Sequence, residues 1–344
     1  MKQYQIAKFG DISGLVLGER EVPVPQPHEV LVRVRATSLN RRDLYILHQT
    51  YPLPPRQDVV PLSDGAGEVT AVGAQVTRFK AGDRVAGSYF ARWRDGRVGW
   101  DIADQLGCTL DGMLAEYVTL AEDALVQIPE HLSWAEAATL PCAALTAWSA
   151  LAGPQPVAAG DTVLTIGSGG VPLFAIQFAK LVGAQVIALT SRDAKFDQLQ
   201  ALGADHVLNY RTDPAWARQV LALTGGRGVT RVVETGGTDT FGQSVLATAF
   251  GGEIALVSSV GSINTPATAS LSDLLNPLFV GLITVRPIFV GSRLGFEAMN
   301  RAITAGRLRP VLDRTFAFDQ VHEAYRYFAA GQHLGKVVIT GSES

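Results

Sequence analysis

Cysteine is scarce in this chain: Cys108 and Cys142 are the only two in 344 residues. That count excludes a disulfide framework and a multi-cysteine metal cluster. Excess charge is missing as well. The formal net charge is −3, which leaves no basic footprint for nucleic acid. Charged residues make up only 18%, below the usual quarter, so much buried surface is expected. Long unbroken apolar runs are also absent. The longest, AATLPCAALTAWSALAG, carries Pro141 and is short for a membrane span. The opening MKQYQIAKFGDISGL lacks the apolar core of a secretion signal. Together these absences predict a cytoplasmic protein with neither nucleic acid nor membrane among its partners.

What is present suffices for two domains with real cores, since 47% of the residues are apolar. The first part is β-like. In EVLVRVRATSLN, Val30, Val32 and Val34 alternate with Arg33 and Arg35, the period of a strand. GEVTAVG, GDRVAGSYF and AEYVTLAEDALVQIP continue as short strands punctuated by glycine, which suggests a compact barrel. The pattern changes near Ser133, which with Glu136 forms a helix-start signature. From TVLTIG to GEIALVSS, apolar strands then alternate with helices, as in a doubly wound parallel sheet. Expected domains are 1–124, 125–292 and a tail, 293–344, that returns to the first. The closing GKVVIT suits an edge strand.

VLTIGSGGVPLFAIQFAKLVG poses the central question. Gly167 and Gly169 take the first two places of G-x-G-x-x-G, and Pro172 takes the third. Strand, tight turn and helix follow in the order that lets a backbone approach a pyrophosphate at a helix N-terminus. Proline suits a first helical turn, so the helix is expected to start at Pro172, with Gly169, Gly170 and Val171 supplying the amide donors. After the second strand comes LTSRDAK. Thr190 stands near the place of the acid that takes the ribose hydroxyls in NAD binders. Ser191, Arg192 and Lys195 follow it, and a hydroxyl with two cations would accept a 2′-phosphate. NADPH is therefore the expected cofactor, with NAD possible.

At this point the chain resembles the medium-chain dehydrogenase/reductase superfamily over nearly its full length. The resemblance is carried by PLSDGAGEVTAVG, FKAGDRVAG, LPCAALTAWSAL, the glycine-loop unit with LGADHVLNY, FVGSR and GKVVIT. It implies an α/β protein: a Rossmann doubly wound sheet inserted in a GroES-like β-barrel catalytic domain, with the active site beside the cofactor. It also implies a small-molecule substrate and a homodimer or homotetramer, with a strand near LITVRPIFVG pairing between subunits. Cofactor contacts are implied at Thr146, Tyr210, Phe289 and Val290.

The departures from the family pattern decide the chemistry. Zinc-dependent members carry Cys where this chain has Asn40, and His and Glu where it has Ser63 and Asp64; only Cys142 matches a third ligand. One cysteine cannot hold a catalytic zinc, so no metal is expected. The pattern resembles the zinc-free, quinone-oxidoreductase-like branch, in which the stretch holding Asn40, Asp43 and Tyr45 lies near the nicotinamide. Arg41 and Arg42 are expected to hold the loop or contact cofactor, and Glu234 to be structural. The irregular 91–111 segment is read equally as a substrate cover or a surface loop.

A magnitude then selects the reaction class. Zinc lowers the pKa of bound water from about 15.7 to about 7, roughly 12 kcal/mol of anion stabilisation. A pre-oriented hydrogen-bond donor contributes about 2.7–4 kcal/mol. Two such donors do not replace a metal for a simple alcohol. They suffice for a quinone or an α,β-unsaturated carbonyl, whose anion delocalises its own charge. The expected function is hydride transfer from NADPH to such an acceptor, Asn40 donating to the oxyanion and Tyr45, or water it orders, delivering the proton. The alternatives are an NAD(P)-dependent alcohol or carbonyl dehydrogenase and a cofactor-binding protein without turnover.

Overall fold

The computed structural model describes residues 1–258 and 270–341. Its strands, in chain order, are β1 (Lys2–Ile6), β2 (Leu15–Glu19), β3 (Glu29–Ser38), β4 (Asp64–Val72), β5 (Arg84–Gly87), β6 (Tyr117–Ala121), β7 (Leu125–Gln127), β8 (Thr162–Ile166), β9 (Gln185–Thr190), β10 (His206–Asn209), β11 (Val229–Glu234), β12 (Thr248–Leu256), β13 (Thr284–Pro287), β14 (Leu312–Phe316) and β15 (Lys336–Thr340). The chain divides into two compact units, Met1–Leu145 with Val290–Ser344, and Thr146–Phe289. No helix among the described residues is long and apolar enough to cross a membrane.

The first unit is organised by β3. One edge pairs with β4 along nearly its whole length; the other is shared, Glu29–Arg33 taking β6 and Ala36–Ser38 taking β15. The sheet runs β14-β15-β3-β4-β5-β7. The predicted alternation holds: Val30, Val32 and Val34 are buried, Arg33 and Arg35 half-exposed. Three expectations are corrected here. The seam lies after Leu145 rather than after residue 124, because β7 completes the sheet against β5 and the helix Trp134–Ala137 packs on β3 and β4. The return likewise begins at Val290 rather than 293. And β15 is not an edge strand. It lies between β14, parallel, and β3, antiparallel, which explains why VVI is apolar on both faces.

The second unit is a parallel sheet in the order β10-β9-β8-β11-β12-β13. Numbered within the unit this is 3-2-1-4-5-6, the doubly wound arrangement, with the strand order reversing between β8 and β11. Its strands bury Leu164, Ile166, Ile187, Leu189, Val232 and Ile254 completely or nearly so. Strands apolar throughout need helices on both faces, which the intervening segments provide. The glycine loop follows β8, beside the reversal.

Candidate functional site

In the first unit, three residues distant in sequence meet at one end of neighbouring strands. The register that pairs Ser38 with Asp64 on one side and Val338 on the other carries Lys336 opposite Asn40. Lys336 is 2% exposed, Asp64 0% and Asn40 8%. The Lys336 ammonium donates to the Leu39 carbonyl at 2.8 Å, to Asn40 Oδ1 at 2.6 Å and to Asp64 Oδ2 at 3.2 Å. Asp64 is held further by the hydroxyls of Ser38, at 2.8 Å, and Ser63, at 3.2 Å. The turn that delivers Ser63 and Asp64 is strained: Leu62 is left-handed at φ 69, its carbonyl accepting the Met113 amide at 2.8 Å. Removing one partner from a buried pair of this kind costs about 3–5 kcal/mol. On Asn40, one group is left over: Nδ2 is buried and has no hydrogen-bond partner among the described residues.

Asn40 is the N-cap of a short helix, α1 (Arg41–Leu47), so one element positions Asn40, Asp43 and Tyr45. Asp43 is a cap partner, its Oδ2 accepting the Asn40 backbone amide at 2.7 Å. Burial pushes its carboxyl up to about 6, against the pull of the Arg42 guanidinium and the Asn40 amide. Tyr45 is half-buried. Arg41 is exposed, whereas Arg42 is buried and holds the loop, as expected of one of the pair. Its guanidinium donates to the Leu106 carbonyl at 3.0 Å and to Gln105 Oε1 at 3.3 Å, and lies 4.6 Å from the Tyr89 ring centroid and 5.3 Å from that of Tyr51. The hydroxyls of Tyr51 and Tyr89, 2.8 Å apart, both reach Gln105 Oε1. No motif in the sequence singles out Tyr51, Tyr89, Gln105 or Lys336 as site residues. The available signal for Lys336 was a lysine opening an otherwise apolar strand.

The donor set does not suit zinc. Asn40 Oδ1 is taken by an ammonium, Ser63 is a neutral hydroxyl turned to Asp64, and Asp64 is the counter-ion of Lys336. Cys142 lies on a π-helical turn, Leu140–Ala144, that contains Pro141. Burial, and then the Asp64 carboxylate, pushes its thiol well above the ordinary value, away from the thiolate a metal requires. Among the described residues no three His, Cys, Asp or Glu side chains cluster in a way that would hold a metal ion.

In the second unit, Gly167 is left-handed at φ 91, a conformation glycine adopts without cost. A Cβ built on Gly169 would meet nothing within 4 Å, so the space above it is open for a ligand to approach the backbone. The helix is Gly170–Leu181 with Gly169 as N-cap. It therefore starts two residues before the expected Pro172. Proline is tolerated at this third position because first-turn amides have no intrahelical acceptor, so the missing N–H breaks no bond. Gly170 and Val171 retain amides in that turn. These residues fit a dinucleotide phosphate.

Beyond β9 the side chains divide. Thr190 is buried and shapes the turn, its hydroxyl accepting the Arg192 amide at 3.3 Å. Ser191 is half-buried and Arg192 exposed. Asp193 Oδ1 accepts from Asn209 Nδ2 at 2.7 Å. Lys195 is 9% exposed and donates to Ser168 Oγ at 2.8 Å, which places its charge at the glycine loop. Tyr210 is half-buried, its amide on the Thr190 carbonyl at 3.1 Å. Thr146 is buried, Phe289 is 46% exposed, and Val290 is left-handed at φ 56, a strained state for a β-branched residue. Glu234 is structural. It is fully buried and accepts from the amides of Gly236 and Gly237 and the hydroxyls of Thr240 and Ser244. In the 91–111 segment, the carbonyls of Trp93 and Arg94 take the amides of Arg293 and Leu294, while Trp100 is 84% exposed.

Two family models match the chain. Alcohol dehydrogenase GroES-like domain covers residues 26–130, and Zinc-binding dehydrogenase covers residues 170–305. A zinc-type alcohol dehydrogenase-like protein of Schizosaccharomyces pombe is 42% identical, the match covering 96% of each chain. A quinone oxidoreductase of Pseudomonas aeruginosa is 31% identical over 98% of this chain and 99% of its own. Among solved structures, an NAD-dependent alcohol dehydrogenase superposes with a TM-score of 0.88 at 32% identity, over 99% of this chain and all of the other.

Proposed function

The chain belongs to the medium-chain dehydrogenase/reductase superfamily and is an oxidoreductase of it; from that premise we propose a zinc-independent, NADPH-dependent reductase of quinones or α,β-unsaturated carbonyls. The observation that carries this reading is Asn40. Its carboxamide oxygen is taken by Lys336, and its N–H2 is a buried donor with an unfilled hydrogen-bond capacity. A buried donor of that kind loses free energy until a carbonyl oxygen meets it, and gains most when that oxygen turns anionic. Bound NADPH would supply the hydride. Asn40 then stabilises the enolate or hydroquinone oxygen, and Tyr45, or water it orders, returns the proton. Asp43 serves the site from behind by fixing the Asn40 backbone.

Gly169, Gly170 and Val171 are proposed to bind the pyrophosphate, with Lys195 adding charge beside Ser168. Ser191 and Arg192 are proposed to take the 2′-phosphate, a choice supported by Asp193 being tied to Asn209. Thr146, Tyr210, Phe289 and Val290 are proposed as further cofactor contacts. A homodimer or homotetramer is supported by β13 lying at the sheet edge and by Phe279 and Leu282, 80% and 61% exposed, in the chain just before it.

The test is NADPH oxidation by a panel of quinones, enones, aldehydes and alcohols, with and without EDTA. Turnover confined to conjugated acceptors and untouched by the chelator is expected. Turnover of simple alcohols or aldehydes that EDTA abolishes would sink the reading in favour of a metal-dependent dehydrogenase. Tight NADPH binding with no turnover on any acceptor would leave a cofactor-binding protein.

A further inference from the structure

Lys336 is a buried cation to which the proposed reaction assigns no proton and no bond. Its ammonium carries three hydrogens, and three acceptors take them: Leu39 O, Asn40 Oδ1 and Asp64 Oδ2. Nothing remains to donate to a substrate, so any part it plays runs through its neighbours. The shortest of the three contacts is to Asn40, at 2.6 Å. An ammonium has no lone pair, so the atom it meets must be the carboxamide oxygen and not the nitrogen. The amide is planar, and with its oxygen fixed on the lysine its N–H2 must face the other way. Turning it over would set donor against donor and strip Lys336 of its closest acceptor. The nitrogen so aimed, Asn40 Nδ2, is buried without a hydrogen-bond partner among the described residues.

We propose that Lys336 is a positioning residue: it locks the Asn40 carboxamide with the oxygen inward, so that the N–H2 is presented to the acceptor's carbonyl oxygen and stays there as charge develops. This rests on the reductase reading given above. The lock is rigid for identifiable reasons. Lys336 opens an interior strand, Asn40 follows the strand beside it, and Asp64 starts the next, held by Ser38 and Ser63. The cation also polarises the amide it touches, which makes the opposite N–H groups stronger donors. A preorganised donor needs no reorientation when the oxyanion forms, which is where its catalytic value lies.

The test is a double-mutant cycle between Asn40→Ala and Lys336→Met, repeated with Asp64→Asn so that no unpaired carboxylate is left buried. Two readouts are taken. One is kcat with NADPH and 1,4-benzoquinone; the other is binding of p-nitrophenolate, an oxyanion probe followed by its absorbance without turnover. NADPH affinity and melting temperature check that each variant is folded. Lys336→Met is expected to lower kcat roughly 10²-fold, as loss of an oxyanion donor does. In the Asn40→Ala background its effect should shrink to within about twofold, the margin for additivity. Phenolate binding should follow the same pattern. Equal losses in both backgrounds, or full activity and full phenolate binding in Lys336→Met, would overturn the proposal while leaving Asn40 as donor. If Asn40→Ala itself changes neither readout, the donor reading fails and this inference falls with it. Should Lys336→Met not fold, the Asp64→Asn pair decides by the same criteria.

Discussion

The glycine loop of the second unit works by what it leaves out. Gly167 takes a left-handed turn, Gly169 keeps open space above the backbone, and Pro172 gives up an amide that had no partner to lose. The Asn40 cluster of the first unit works by what it packs in: an ammonium, a carboxylate, two hydroxyls and a carboxamide, all buried and, among the described residues, satisfied but for one N–H2. In the function proposed above, the loop would recognise through backbone and shape, which a common phosphate group can meet. The cluster holds a donor unfilled among the described residues through side chains on neighbouring strands and the α1 N-cap, which in that proposal would select a particular kind of oxygen. Binding and chemistry should therefore fail separately when each is damaged.

The largest separation is expected from Asn40→Ala. It should lower kcat by about 10²–10³-fold, the usual loss of an oxyanion donor, while NADPH affinity measured by fluorescence titration stays unchanged. A parallel loss of NADPH affinity would break the contrast. Gly169→Val is the reverse experiment. Its side chain would enter open space, so melting temperature should hold, while NADPH affinity falls roughly 10²-fold because the pyrophosphate is pushed from the backbone.

Stability against pH sharpens the contrast further. Asp43 has a folded-state carboxyl raised by burial to about 6, above its unfolded value. Between those two values the folded state holds more protons than the unfolded one, so stability falls as pH rises through that window. The cost is on the order of 3 kcal/mol above pH 6. Asp43→Asn keeps an acceptor for the Asn40 amide, and should flatten the profile between about pH 4 and 6 in urea titrations. An unchanged slope would remove Asp43 as its source. The smallest effect is expected from Arg192→Ser, which should weaken NADPH about tenfold and leave NADH alone, the share of one charge-assisted contact. Equal loss of both cofactors would place Arg192 elsewhere than at the 2′-phosphate.

The same contrast explains what could be read in the sequence. The loop is local: β8, glycines, helix and β9 lie within Thr162–Thr190, so strand period, turn residues and helix onset are visible side by side. The helix starts two residues before Pro172 because the bias that proline imposes on its predecessor is weaker than the helix's own hydrogen bonding. The cluster is not local. Residues 40, 64 and 336 meet only through the register of β15 against β3 and of β3 against β4, and no period in the chain encodes that pairing. The resemblance marks the position of Asn40; nothing marks Lys336, because GKVVIT reads as an edge strand, where a lysine is commonplace. Tyr51, Tyr89 and Gln105 escaped for a similar reason. Their hydroxyls and amide are brought together by Arg42 from loops with no pattern of their own.

The interior position of β15 also sets an order of assembly during synthesis. β3 leaves the ribosome early, with part of one edge reserved for residues some three hundred positions downstream. Until those arrive, its backbone groups at Ala36–Ser38 and the carboxylate of Asp64 wait without their partners, while Thr146–Phe289 has already been made in full. A nascent or truncated chain ending before Lys336 would therefore present an open strand edge and a buried anion, a combination that invites aggregation or a chaperone.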